Sequence, residues 1–306
     1  MKIDGLFDLQ VMMFLLMAVG VVLRKMNIIT KEGKGMMTDL VIDLILPCNI
    51  ISAFYMPMDK SVFVAELEIL VISILIQIFC TFVSAVFYRR VPREKKMVLQ
   101  YATVCSNAGF LGNPVAEGLY GSIGLLYASV YLIPQRIVMW SAGVSYFTES
   151  PSKREVVKKV LKHPCIVAVE IGIVLMVTQI QLPGFLSSAI DNVGGCTTAI
   201  TMILIGTILT DADMRHILTK TTVLYSFVRL VFIPAVVFAG CWLAGIDSVV
   251  AGVSVTLAAM PAGTTTAILA MKYHGDEEFA TQCVVLTTLL SVVAIPVWSL
   301  IIHSAL

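Results

Sequence analysis

Residues 105–114 read Cys105-Ser106-Asn107-Ala108-Gly109-Phe110-Leu111-Gly112-Asn113-Pro114. They interrupt an apolar stretch, Met97 to Tyr120, that is long enough to cross a bilayer. Pro114 has no backbone N–H, and its ring opposes a helical carbonyl one turn back. Asn113, immediately before it, is biased away from helical geometry. The pattern predicts a helix broken at Asn113-Pro114. Hydrocarbon offers no partners to peptide groups freed by such a break, so the break must line a cavity or pack against protein. Helices interrupted near the midplane are a recurrent way of building a substrate site in secondary transporters.

Outward from this stretch, the composition is that of a membrane protein. The 306 residues are 58% hydrophobic and 13% charged, with a mean hydropathy of +0.93. Soluble domains carry about 25% charged residues. A net charge of +1 gives no bulk attraction to nucleic acid, so no nucleic-acid partner is expected. The seven cysteines are scattered without C-x-x-C or metal-ligand spacing and read as small buried hydrophobes. His163, His216, His274 and His303 fall at segment ends and read as solvated; no metal site is expected. The first apolar run, Leu9 to Leu23, precedes Arg24 and Lys25, the reverse of a signal peptide, and is expected to be a retained helix.

Ten spanning segments can be drawn, at about 8–24, 36–56, 62–88, 97–120, 124–147, 163–180, 184–209, 220–243, 248–272 and 278–302, each close to the ~20 residues a bilayer requires. Lys and Arg gather in alternate connections: Arg24 to Lys34, Arg89 to Lys96, Lys153 to Lys162, Arg215 to Lys220, and Lys272. The opposite side holds only Lys2 and Lys60. By the positive-inside rule both termini are expected outside the cell, in the plasma membrane.

The chain divides into a first repeat (1–148), a cytoplasmic connection (149–162) and a second repeat (163–306), with inverted topology. The interruption in the fourth segment has a counterpart in the ninth, at Met260-Pro261, followed by Ala262-Gly263-Thr264. Pro134 in the fifth segment is echoed by Pro296 in the tenth. Matched breaks in inverted halves point to a transport site.

With Asn107 to Pro114, Leu46-Pro47 and Pro261 in place, the chain resembles the auxin efflux carrier family over its whole length. That family includes plant PIN-FORMED transporters and bacterial permeases assigned to malate or malonate. The short central connection resembles the bacterial members. The resemblance implies an all-α fold like that of bile acid:sodium symporters, in which segments 4 and 9 cross. It also implies a homodimerising scaffold of segments 1, 2, 6 and 7, and a mobile transport unit of segments 3–5 and 8–10.

The candidate substrate-binding residues are Asn107, Asn113, Pro114, Arg136, Pro261, Gly263 and Thr264. Exposed amides and half-helix N-termini at the breaks suit a carboxylate, and Arg136 adds a fixed charge. Glu117 and Arg229 form a second group, either an ion-coupling element or a charge network. Intramembrane charges default to functional readings with a named partner. Two readings stand for these charges: substrate binding, or a permanent Glu117–Arg136 pair that holds the bundle. The leading function is secondary transport of a small organic anion, with no cofactor and with H+ or Na+ as a coupling ion. The alternative is a receptor that binds the same anion without moving it. No Walker loop or hydrolase motif suggests an enzyme.

Overall fold

The computed structural model describes residues 3–55, 60–139, 143, 145–147, 154, 161–210, 217–273 and 275–305. Lys2, Ser152, Arg215, His216, His274 and most of the 149–162 connection lie outside the described residues.

The chain is helical: α1 (Ile3–Lys25), α2 (Lys31–Phe54), α3 (Lys60–Phe87), α4 (Arg93–Val104), α5 (Asn113–Val138), α6 (Pro164–Thr178), α7 (Gly184–Thr210), α8 (Lys220–Ala244), α9 (Ser248–Ala258), α10 (Thr265–Lys272) and α11 (Glu277–Ala305). Among the described residues, α2, α3, Ala108–Val138, α7, α8 and α11 are long and apolar enough to cross a membrane, and α6 and α9 are shorter apolar helices. Large apolar side chains face outward around the molecule, including Leu75, Phe82 and Val293. Polar Asn49, Gln77, Asn107, Arg136 and Arg229 are buried. That distribution matches a hydrocarbon surround and not water.

Within α5, Gly121 adopts φ 67°, ψ −156°, so the stretch is two helices meeting at a turn. Only a residue without Cβ takes that conformation at little cost.

Three prolines share one local device. The π-helical turns Val41–Ile45, Ala108–Gly112 and Val228–Phe232 each end two residues before a proline: Pro47, Pro114 and Pro234. In each, the residue before the proline donates its N–H to the carbonyl five residues back: Leu46 to Val41, Asn113 to Ala108, Ile233 to Val228. The wider turn gives the proline ring room from the carbonyl one turn back. Trp298 Nε1 occupies the carbonyl that Pro234 leaves free, donating to Leu230 O at 2.8 Å.

The break is therefore not at Asn113-Pro114. Gly112 and Asn113 keep right-handed helical dihedrals, and the π-helical turn carries the chain into Pro114 without leaving helical geometry. The chain leaves helical geometry at Cys105 (φ −110°, ψ 90°) and Asn107 (φ −79°, ψ 35°). The second break falls where the sequence places it, between α9 and α10.

Packing falls into two groups. α1 lies along α7, and the second half of α2 packs on α6 and α7. Helices α3, α4, α5, α8, α9, α10 and α11 pack mainly among themselves. Gly20 abuts the Ile203 carbonyl and Gly206 the Met17 carbonyl, so α1 and α7 touch backbone to backbone, a contact that any side chain would prevent. Gly194 packs against the Asn49 backbone, so α7 and α2 also approach closely.

Candidate functional site: the crossing of two broken helices

The two breaks meet. Ser106 and Ala262 form an antiparallel bridge: Asn107 N–H donates to Pro261 O (2.8 Å) and Gly263 N–H to Cys105 O (3.0 Å). A Cβ on Gly263 would lie 2.8 Å from Cys105 O, so only glycine permits the approach.

The peptide groups released by unwinding find protein partners, as buried backbone must. Thr103 O loses its helical donor because Asn107 N–H turns to Pro261, and Arg229 Nη1 approaches it at 3.5 Å. Arg229 Nε donates to Met260 O at 2.8 Å. Gln135 Nε2 donates to Ser106 O (2.8 Å), while Ser106 Oγ donates to Gln135 Oε1 (3.0 Å). Thr287 Oγ1 accepts from Ala262 N–H at 3.1 Å. Gln135 lies on α5 and Thr287 on α11. Neither stands out in the sequence, where Gln135, between Pro134 and Arg136 in an apolar segment, was the available signal.

One face of the crossing is packed and the other opens on a cavity of about 300 Å³. Its walls include Tyr101, Ser106, Asn107, Gln135, Arg136, His163, Gly263 and Thr264. Tyr101 Oη donates to Thr265 Oγ1 at 3.2 Å, joining α4 to the start of α10 along this wall. Asn107 Nδ2 and Arg136 Nη1 are both buried with no hydrogen-bond partner among the described residues. Arg136 is 5% exposed and lies beside Cys165 and His163. The π-helical turn begins at Ala108, and the first amides of a helix have no internal acceptor. Gly109 and Phe110 of that turn line the cavity. This wall thus presents a guanidinium, a carboxamide and a helix N-terminus, a set suited to an anion.

A second cavity, of about 580 Å³, shares Thr38, Asp39, Phe110, Thr264 and Ile268 with the first and extends to Lys31, Lys34 and Glu277. The two make a path from the crossing to the end of the molecule that carries the Arg24–Lys34 basic cluster.

Of the sequence-predicted residues, Asn107, Arg136, Gly263 and Thr264 come together on the cavity. Pro261 is part of the backbone bridge behind it. Asn113 and Pro114 are buried in helix away from the lining, because the break lies upstream of them. Glu117 does not meet either arginine: it accepts from Asn49 Nδ2 on α2 at 3.2 Å, and among the described residues it forms no ion pair. Arg229 is a clamp on two carbonyls and not a member of a charge network with Glu117. His163, expected to be a solvated segment end, lines the cavity.

The chain matches the family described as "Membrane transport protein" over residues 7–299. It belongs to that family. The assignment covers nearly the whole chain and agrees with the resemblance to auxin efflux carriers drawn from the crossing residues. An uncharacterized transporter of Methanothermobacter thermautotrophicus is 24% identical over 294 residues, covering 94% of this chain and 95% of the relative. An uncharacterized transporter of Methanocaldococcus jannaschii is 23% identical over 307 residues, covering 96% and 98%. The protein is a multi-pass member of a transporter family.

Proposed function

We propose that this family member is a secondary transporter of a small carboxylate, binding it at the crossing and carrying it by alternating access. The observation that carries the reading is the pair of buried donors, Asn107 Nδ2 and Arg136 Nη1, unpartnered among the described residues on one cavity wall. An unmet buried donor is costly, so retaining two on one wall is consistent with a ligand that completes them. A cavity of about 300 Å³ suits a small ligand, at the lower end of known binding sites.

The proposed frame is ten spans in a 5+5 inverted repeat, with 1–148 and 163–306 as the halves and 149–162 on the cytoplasmic side. Both termini then face outward from the plasma membrane. The basic connections support this orientation. In this frame the cavity path opens toward the cytoplasm. The α1, α2, α6 and α7 group is the scaffold, through which a homodimer forms, and the remaining helices move the site. H+ or Na+ can serve as coupling ion. No cofactor and no chemical reaction enter the scheme.

The test is counterflow of labelled malonate, malate and monocarboxylates by the purified protein in proteoliposomes. Trans-accelerated uptake of at least one carboxylate is expected, and it is lost in Arg136→Ala. Saturable binding without flux in either direction would replace transport with the receptor reading.

A further inference from the structure

The cavity is built from both packing groups, and their contributions differ. The α5 side and the crossing supply the unpartnered donors Arg136 and Asn107. The α2/α6 side supplies Thr38, Asp39, Ile42, Leu46, His163 and Cys165. Most of these cannot donate to an anion. The Thr38 hydroxyl donates to Lys34 O, Ile42 and Leu46 are apolar, and an ionised Asp39 only accepts. The Cys165 thiol, a weak donor at best, faces Ile42 O.

His163 is different. It is the N-cap of α6, and its Nδ1 accepts the Cys165 N–H at 3.3 Å. A ring nitrogen that accepts an amide proton carries no proton itself, so a neutral imidazole must hold its hydrogen on Nε2. That N–H has no partner among the described residues, and the ring lines the cavity beside Arg136.

We propose that His163 Nε2–H is an anion contact supplied from the α6 side, and that it makes affinity differ between the two faces of the membrane. The inference rests on the transport reading above. Arg136 and Asn107 belong to the group that carries the crossing and stay with the anion throughout the cycle. His163 belongs to the other group, so its contact exists only while the cavity adjoins α6, as it does here with the path open toward Lys31 and Lys34. The anion binds more tightly on that face and is released more readily on the other.

The experiment uses the full-length protein in proteoliposomes sorted by orientation, with labelled malonate as probe and malate as alternate. His163→Asn keeps an N-capping acceptor but is too short to present the same donor. It is expected to raise KM about tenfold at the face bearing Lys31 and Lys34, the change that loss of ~1.4 kcal/mol of binding produces. KM at the opposite face should stay within about twofold. Arg136→Ala should lose affinity at both faces. An equal shift at both faces, or none at either, overturns the role of His163 while leaving the Arg136 site intact. If His163→Asn does not fold, His163→Ser, which keeps an N-capping hydroxyl and is shorter still, carries the same comparison. If the unsubstituted protein exchanges no carboxylate, the transport reading fails, and this inference falls with it.

Discussion

Two buried arginines flank the crossing, and they do opposite things. Arg229, on the packed face, is 3% exposed, and its guanidinium is aimed at the carbonyls of Thr103 and Met260, one from each broken helix. Arg136, on the cavity face, is 5% exposed, and its Nη1 has no partner among the described residues. Burial is the same; the partners differ. A buried charge whose donors are met by backbone is a structural clamp. One with an unmet donor on a cavity wall is costly to the fold and points to a ligand. The sequence shows both only as arginines inside apolar segments, so it could place the pair but not divide their roles.

The largest effect expected from this contrast is on the clamp. Arg229→Ala strands two carbonyls at the crossing. Hydrogen bonds to charged groups contribute about 1.5–3 kcal/mol each, so a loss of about 3 kcal/mol or more is expected. Thermal unfolding in mild detergent, followed by size-exclusion chromatography, should show a markedly lower midpoint or an aggregated product. A stable Arg229→Ala protein that has lost only transport would erase the distinction between the two arginines.

Arg136→Met should reverse the pattern. Removing a buried, partly unsatisfied guanidinium relieves its desolvation, so the unfolding midpoint should hold or rise while carboxylate counterflow is lost. Arg136→Lys should restore only part of the activity, since an ammonium cannot reproduce the planar fork. A fall in stability comparable to that of Arg229→Ala would make Arg136 a clamp as well.

What the sequence made legible follows from the physics of each signal. Membrane character is written in composition, and the paired interruptions in the fourth and ninth segments are written in Pro and Gly placement. The position of the first break was not legible. Pro114 reads as a breaker, yet the π-helical turn Ala108–Gly112 absorbs it, as similar turns absorb Pro47 and Pro234. The chain instead opens at Cys105–Asn107, where the partner strand is Pro261–Gly263, more than 150 residues away. No local rule can anticipate a bridge whose other half is that distant. His163 was misread for a related reason: its position at the end of a segment is a fact of sequence, while its place on the cavity depends on how α6 packs beside α5. Glu117 offered Arg136 as an electrostatic partner, but it lies in the half of its helix that faces α2 and finds Asn49.

The smallest effect, and the sharpest separation, concerns the two asparagines of the 105–114 stretch. Among the described residues, Asn107 lines the cavity with an unpartnered Nδ2, whereas Asn113 is fully buried in helix with both side-chain polar atoms unpartnered and no part in the lining. The first has a use for its donor, and the second does not. Asn107→Ala should therefore weaken carboxylate binding several-fold with little change in stability. Asn113→Leu replaces a buried unsatisfied amide by a side chain of similar size. Leaving such a group unmet costs about 1–3 kcal/mol, so the substitution should raise the unfolding midpoint slightly and leave KM unchanged. If Asn113→Leu instead abolishes counterflow while folding normally, its amide serves the transported anion in a state other than this one. The cavity would then have to extend past the π-helical turn during the cycle, and the boundary between lining and packing would move from Phe110 to Pro114.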